Sequence, residues 1–534
     1  MQAEGIPFTA TGYFSALICD YLKEVRALRP FYGRFPDLNS FKEQLLEKQA
    51  AFPQQHREVL AGALEGQYKG VALSSKTRKN IALLKESNTF TVVTGHQLNL
   101  FTGPLYFLYK IISTINLTEE LKKAYPEAHF VPVYWMATED HDFDEINYFN
   151  FRGKKLQWNR EAAGAVGRLS TEDLKAVYEM LSLELGPGIH ADKLRDWFRK
   201  AYLEHPTFTE ATRFLANELF GSYGLVILDG DDTMLKKLLV PFIKKDLEQG
   251  ISYAEVEKTC ASLGALNTAY TIQVNPREIN YFYLGDGLRE RLVQKGALYT
   301  VNNTKITFTK EALFEALEQH PEHFSPNVIT RPLYQEVILP NLCYIGGGGE
   351  LAYWLELKSF FKVMDVPFPI LLLRNSALVI TEKQQRKLQK MNLSAADLFL
   401  DQNSLINKKV REISNIDIDF SPQRKHLKEQ FQAMYELAEA TDRSFLGAVK
   451  AQEVKQLKGL DVLEKRLLKA QKRKLKDQVV RMTDIQNELF PNKSLQERML
   501  NFSELYLELG PELIPDLMHS LKPLRSDFLI LRYS

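Results

Sequence analysis

The stretch from Thr91 to Asn147 admits one local topology. An apolar run, Thr91 to Val93, leads into the polar turn Thr94-Gly95-His96-Gln97. A helical pattern opens at Gly103-Pro104, a second apolar run spans Phe130 to Met136, and the polar cluster Thr138-Glu139-Asp140-His141-Asp142 follows. Pro104 suits a first helical turn, where its missing N–H has no partner to lose. Tyr106, Tyr109, Ile112 and Ile115 recur at helical spacing. The pattern predicts a βαβ unit with parallel neighbouring strands. The turn after the first strand and the acidic cluster after the second then leave the sheet at the same carboxyl edge, where open α/β sheets bind ligands.

The rest of the chain extends this unit. At 534 residues it is too long for one core, so two or three domains are expected. Residues 1–86 read as a helical lead-in broken at Pro30, Pro36 and Pro53. A core runs over 87–376 with insertions at about 149–216 and 250–330. Within it, a strand at Leu225 to Leu228 delivers Asp229, Asp231 and Asp232, a pattern that often caps a helix. Tyr270 to Val274 and Tyr281 to Leu284 alternate like antiparallel strands around Asn275-Pro276. A strand at Leu342 to Ile345, four glycines, a helix from Glu350 to about Lys362 and a strand from Phe368 to Leu373 repeat the first unit. The expected fold is α/β, a doubly wound parallel sheet with insertions. Residues 377–510 read as helical, with a start at Ser421-Pro422 and a 4-3-4-3 spacing of Leu475, Val479, Met482, Gln486 and Leu489. Leu460, Leu463 and Leu467 keep another phase, so the heptads are interrupted and a coiled-coil domain is expected. Residues 511–534 end in strand-like Phe528 to Leu531, which is expected to return to the core.

Charge and cysteine content narrow the partners. A formal net charge of +1 gives no global attraction to nucleic acid or an anionic membrane. Cys19, Cys260 and Cys343 are odd in number, far apart and in no Cys-x-x-Cys pairing, which argues against a disulfide framework or a structural zinc site and suits a reducing cytoplasm. No apolar run approaches the roughly 18 residues of a spanning helix.

Chemistry concentrates at the predicted carboxyl edge. His96 directly follows a strand, within reach of a ligand. Glu139, Asp140, His141 and Asp142 crowd three carboxylates around an imidazole. Adjacent acids repel unless something positive binds them. A divalent ion, a substrate amine and acid/base catalysis all answer to this, against a structural role in capping and local ion pairs. No ligand spacing selects a metal. Gly346, Gly347, Gly348 and Gly349 let the backbone approach a ligand, and the helix they open offers amides to an anion. Their spacing fits neither a dinucleotide fingerprint nor a Walker loop. Arg331 and Arg374 are candidate carboxylate or phosphate clamps. Cys343 lies within an apolar strand and is expected to be buried and inert.

These residues also resemble a family. Thr94-Gly95-His96-Gln97, Thr102-Gly103-Pro104-Leu105-Tyr106 with Tyr109-Lys110, the run from Pro132 to Phe143 with Glu145 and Asn147, Ser325-Pro326-Asn327, and Glu350 with Ala352-Tyr353-Trp354 are similar to the bacillithiol biosynthesis cysteine-adding enzymes. Two positions depart from that pattern: Gly348, where proline is frequent, and His96, where glutamine is common. The resemblance covers nearly the whole chain. It implies a Rossmann-like core with connecting insertions, an α-helical coiled-coil domain that supports a homodimer, and a cytoplasmic ligase that adds cysteine to glucosaminyl-malate. His96, Asp140 and His141 are then the expected catalytic residues. Thr94, Gly95, Gln97, Gly103, Tyr106, Glu139, Asp142, the four glycines, Glu350 and Arg374 are expected to bind substrate or nucleotide, with ATP or another adenine nucleotide as the implied cosubstrate. The fold is similar to that of class I aminoacyl-tRNA synthetases, although no His-x-Gly-His occurs. Two other readings share these residues: a nucleotidyl or acyl transferase working on another acceptor, and a coiled-coil scaffold with an inactive catalytic domain.

Overall fold

Apolar strands buried on both faces need helices above and below them, and the computed structural model, which describes residues 1–533, has that arrangement. Thr89–His96 (β1), His129–Met136 (β2), Val226–Asp229 (β3), Asn341–Gly346 (β4) and Ile370–Leu373 (β5) form one sheet in the order β5-β4-β1-β2-β3. All pairs are parallel. The register places Thr89 opposite His129 and His96 opposite Met136, so the turn after β1 and the acidic cluster after β2 emerge side by side. The chain builds outward from β1 to β3 and then returns to lay β4 on the other flank of β1. Strand order reverses there, and a crevice opens between the carboxyl ends of β1 and β4. Phe41, Phe90, Val92, Phe130, Leu342 and Ile370 form a core on the sheet, each large side chain contributing about 1.5–3 kcal/mol by burial.

The helix Tyr106–Ala124 (α1) crosses from β1 to β2 and buries Phe107, Leu108, Ile111, Ile112 and Ile115. The turn before it is unusual. Phe101, Thr102 and Gly103 have φ of 50°, 68° and 62°, a left-handed run that costs roughly 1–3 kcal/mol at each residue with a side chain. Surrounding bonds hold it there. The Phe101 amide donates to Tyr202 Oη at 2.8 Å, and Asn501 Nδ2 donates to the carbonyls of Phe101 and Gly103 at 2.7 and 2.6 Å.

The helix Thr233–Gln249 (α2) follows β3 and is capped by Asp232, which accepts from the amides of Met234 and Leu235. Gly348–Leu355 (α3) follows β4. Two sequence expectations need correction, and both meet at Glu356. The helix expected from Glu350 to about Lys362 is two helices, α3 and Lys358–Met364. Tyr270 to Val274 is not a strand. The Glu356 carboxylate is buried and accepts from the amides of Gln273 and Val274 at 2.8 and 3.0 Å, so that segment bonds to a side chain in place of a ladder. The antiparallel sheet of this region instead joins Tyr281–Gly285, Leu288–Lys295, Leu298–Val301, Thr307–Phe308 and Phe324–Pro326.

The described chain divides into two compact units, residues 1–379 with 495–531, and 380–494 with 532–533. In the second, Ser421–Thr441 (α4) and Leu446–Lys474 (α5) form a helical hairpin around Phe431, Ala438 and Val449. Arg424 reaches Asp461 at 2.8 Å and Tyr435 reaches Glu453 at 2.8 Å, pairings that run in opposite directions along the two helices. Leu475 interrupts α5 before Lys476–Leu489 (α6). The repeat of Leu475 and Val479 packs on Ile406, Val410 and Ile418 of the same unit.

Candidate functional site

The crevice between β1 and β4 is a cavity of about 860 Å³. Gly95, His96, Gln97, Tyr106, Glu139, Asp140, His141, Asp142, Gly347, Gly348, Gly349, Glu350 and Arg374 line it. Thr94, Gly103 and Gly346 are not in that lining. Thr94 Oγ1 donates to the Ile345 carbonyl at 2.8 Å and ties β1 to β4. Gly103 belongs to the left-handed turn, where a Cβ would lie 2.4 Å from Asn99 Cβ. Gly346 ends β4, where a Cβ would lie 2.9 Å from Leu351 and Tyr344 side-chain atoms.

The glycine run opens α3 and is organised by Glu350 and Lys110. Glu350 Oε2 accepts from the Gly347 amide at 2.8 Å and Oε1 accepts from Tyr344 Oη at 2.7 Å. Lys110 Nζ, projecting from α1, pairs with Glu350 Oε2 at 2.6 Å and donates to the Gly95 carbonyl at 2.7 Å. Burial acts to raise the Glu350 pKa, yet Lys110 and these donors hold it below its ordinary value. Burial pulls the Lys110 ammonium down despite Glu350. The first amides of α3 at Gly348 and Gly349 have no carbonyl one turn earlier within the helix to bond. A Cβ on Gly347 would lie 3.7 Å from Arg374 Nε. Arg374 spends its other nitrogens on Glu497, at 2.8 Å, and on Asn375 O and Ser376 Oγ, at 3.0 Å each, while its buried Nε has no hydrogen-bond partner. The turn and this one N–H suit an anion.

His96 ends β1 with its ring against Tyr106 and Phe107. It is buried, and Nε2 has no hydrogen-bond partner. Burial, with added repulsion from Lys110 and Arg374, lowers its pKa well below the ordinary value, so the ring is neutral at physiological pH. The residue lines the cavity with a neutral ring whose Nε2 is shielded from solvent and unbonded.

The carboxylates of the acidic run diverge. Asp140 accepts from the His141 amide at 2.7 Å and from Gln97 Nε2 at 3.0 Å, and Gln97 also reaches Glu145 at 2.9 Å. Burial opposes ionisation of Asp140, but these bonds hold its pKa well below the usual carboxylate range. Glu139 pairs with the buried Lys236 at 2.8 Å. Burial opposes protonation of Lys236, but Glu139 and Asp231 raise its pKa. Asp231 in turn binds Lys236 at 2.7 Å and Arg168 at 2.7 Å, and Asp229 accepts from Thr138, so the acids after β3 brace this segment from behind. His141 Nδ1 lies 2.6 Å from Arg289. A guanidinium only donates, so this nitrogen accepts.

Cationic side chains outnumber carboxylates in the lining, with Arg277, Arg289, Arg291, Arg331 and Arg498 beside Lys110 and Arg374. Arg331 donates to Gln335 at 3.1 Å and to Tyr353 Oη at 3.3 Å. Sequence reasoning assigned no role to Lys110, Arg289 or Arg291. Lys110 carried a signal, a lone charge within an otherwise apolar stretch of α1; the two arginines sit in a strand that reads as solvated.

Comparison with known proteins adds two family profiles. One described as "Bacillithiol biosynthesis BshC, N-terminal Rossmann-like domain" matches residues 1–375, and one described as "Bacillithiol biosynthesis BshC, C-terminal coiled-coil domain" matches residues 377–533. Relatives that carry the name "Putative cysteine ligase BshC" include three of high coverage. The one from Christiangramia forsetii is 58% identical, covering 100% of this chain and 99% of its own. The one from Flavobacterium johnsoniae is 57% identical, covering 99% and 100%. The one from Cytophaga hutchinsonii is 38% identical, covering 98% and 97%.

Proposed function

The chain belongs to the BshC family of bacillithiol biosynthesis proteins, and from that premise we propose that it is a cysteine ligase, joining the carboxylate of cysteine to the amine of glucosaminyl-malate with ATP or another adenine nucleotide as cosubstrate. The observation that carries this reading is His96: a neutral, buried imidazole whose Nε2 is unbonded, at the switch point of the sheet, in a cavity lined with cations. Amide formation makes a C–N bond, breaks the C–O bond to the leaving group and releases a proton from the amine. We assign the uptake of that proton to His96, whose neutral ring lines the cavity. Bound ATP would supply the activation of the carboxylate that condensation in water requires. Gly347 to Gly349 and Arg374 Nε suit its anionic groups, because the turn presents backbone without side chains and the guanidinium keeps one free donor. Lys110 and Glu350 hold that turn in place.

Asp140 and His141 act in this scheme through neighbours. Asp140 fixes Gln97 and the loop, and His141 holds Arg289 towards the cavity, where a guanidinium suits the carboxylates of the malate moiety. The three thiols are free, and among the described residues no helix is long and apolar enough to cross a membrane, which supports placing the enzyme in the cytoplasm. We also propose a homodimer through the helical hairpin, because Met434, Leu437, Val462 and Leu463 are exposed on α4 and α5.

Incubating the full-length protein with cysteine and glucosaminyl-malate, with and without ATP, tests the reaction. Mass spectrometry should detect the amide in the complete mixture alone. Nucleotide turnover with a different acceptor would select a transferase, and absence of both turnover and nucleotide binding would select a scaffold.

A further inference from the structure

Away from the cavity, the helix Lys310–Gln319 ends in a tight turn, Pro321–His323. His320, Glu322 and His323 each offer a ligand atom there, and these three atoms lie within 4.8 Å of one another. We propose that they form a binding site for a divalent metal ion of the zinc type. Two imidazoles and one carboxylate are a donor set that zinc takes with three protein ligands, leaving one position for water. Ligands at about 2.0–2.2 Å from a tetrahedral ion stand roughly 3.3 Å apart, so binding draws the three inwards. All three lie within four consecutive residues, so the movement is local to one turn.

Two further features favour a ligand. His323 Nδ1 lies 2.8 Å from the Leu284 carbonyl. A carbonyl only accepts, so Nδ1 carries the proton and Nε2 presents its lone pair. Metal-binding histidines are oriented by bonds of this kind. The ring is also stacked on Tyr283, with centroids 5.4 Å apart and planes 15° from parallel. Secondly, Glu322 Oε2 is shielded from solvent without a hydrogen-bond partner. Its other oxygen faces His320 Nδ1 at 3.2 Å. A shielded, unbonded carboxylate oxygen is costly, and a cation would satisfy it.

The site is one residue away from the cavity wall. Lys236 Nζ donates to the Glu322 carbonyl at 3.3 Å and pairs with Glu139 at 2.8 Å. Ordering the turn by a metal therefore bears on the lysine that holds Glu139. This proposal is independent of the reaction.

Zinc titrated into EDTA-stripped, full-length protein, followed by calorimetry, tests it. One site is expected, weakened at least about ten-fold by His320→Ala and by His323→Ala, and kept in His141→Ala, whose ring lies in the cavity. Zinc should raise the Tm of the wild type and leave unchanged that of the double variant combining His320→Ala with His323→Ala. Glu322→Gln keeps the side-chain shape and gives a second reading if an alanine variant does not fold. Equal zinc affinity in the wild type and the double variant, or binding confined to several weak sites that the substitutions do not touch, overturns the proposal.

Discussion

Lys110 Nζ lies 2.6 Å from Glu350 Oε2, which ties the helix after β1 to the helix after β4 across the switch crevice. Lys110 is buried and the Glu350 side chain is 26% exposed. Lys110→Met should destabilise the protein by about 2 kcal/mol, below the range for fully buried pairs because Glu350 keeps some water contact. Adding Glu350→Gln should restore much of the loss, since it removes the unpaired charge. Chemical denaturation of the three proteins checks this, and a single variant as stable as the wild type would show that the pair contributes nothing.

His96→Phe keeps a ring against Tyr106 and Phe107 but cannot take up a proton. It should lower kcat by about two orders of magnitude and leave KM nearly unchanged. Steady-state kinetics at saturating cosubstrates measure this. Normal turnover would show that His96 does not take up the proton.

The same residue makes stability depend on pH. Burial, with Lys110 and Arg374, holds the folded His96 pKa well below 6.5. The unfolded chain takes up this proton near pH 6.5 and the folded chain does not. Stability is therefore complete above that value and declines as pH falls below it, by up to about 1.4 kcal/mol per pH unit, until the folded ring titrates. His96→Phe should flatten this part of the profile. Urea midpoints of both proteins through the mildly acidic range decide it; parallel profiles would show that the ring is not held neutral.

Gly347→Val and Gly348→Val place a Cβ at ordinary contact distances, 3.5 Å from Glu350 Oε2 and 3.4 Å from Ile18 Cγ1. Stability should change by no more than about 1 kcal/mol. Both residues line the cavity, so ATP affinity should fall about ten-fold or more, equivalent to about 1.4 kcal/mol. A folded variant with unchanged nucleotide affinity would remove the turn from the binding site.

Leu437 and Leu463 are 69% and 53% exposed on the hairpin. Light scattering of the full-length protein at micromolar concentration should give the mass of a dimer, and Leu437→Glu combined with Leu463→Glu should give that of a monomer. A monomeric wild type contradicts the proposed assembly.

The parallel sheet was legible because each strand is a continuous apolar run ending in polar residues, as in Phe130 to Met136 before the acidic cluster. The order of the strands was not, since nothing local to Leu342 to Ile345 says that it returns beside Thr91 to Val93. That return creates the crevice. Tyr270 to Val274 has the alternation of a strand, but its amides bond to Glu356, more than eighty residues away in sequence. For the same reason the acidic run looked like a convergent cluster. Its side chains diverge towards Lys236, Gln97 and Arg289, partners that local spacing cannot reveal.

The left-handed turn between β1 and α1 also sets a timetable for synthesis. Asn501, which holds the carbonyls of Phe101 and Gly103, lies 400 residues beyond Phe101. At about 5–20 residues per second, the ribosome needs roughly 20–80 s to make that interval. Through this time the nascent βαβ unit lacks two of the three bonds that hold its strained entrance, and Arg374 awaits Glu497. The crevice between β1 and β4 is therefore among the last parts of the protein to mature, and a chain released before residue 495 cannot complete it.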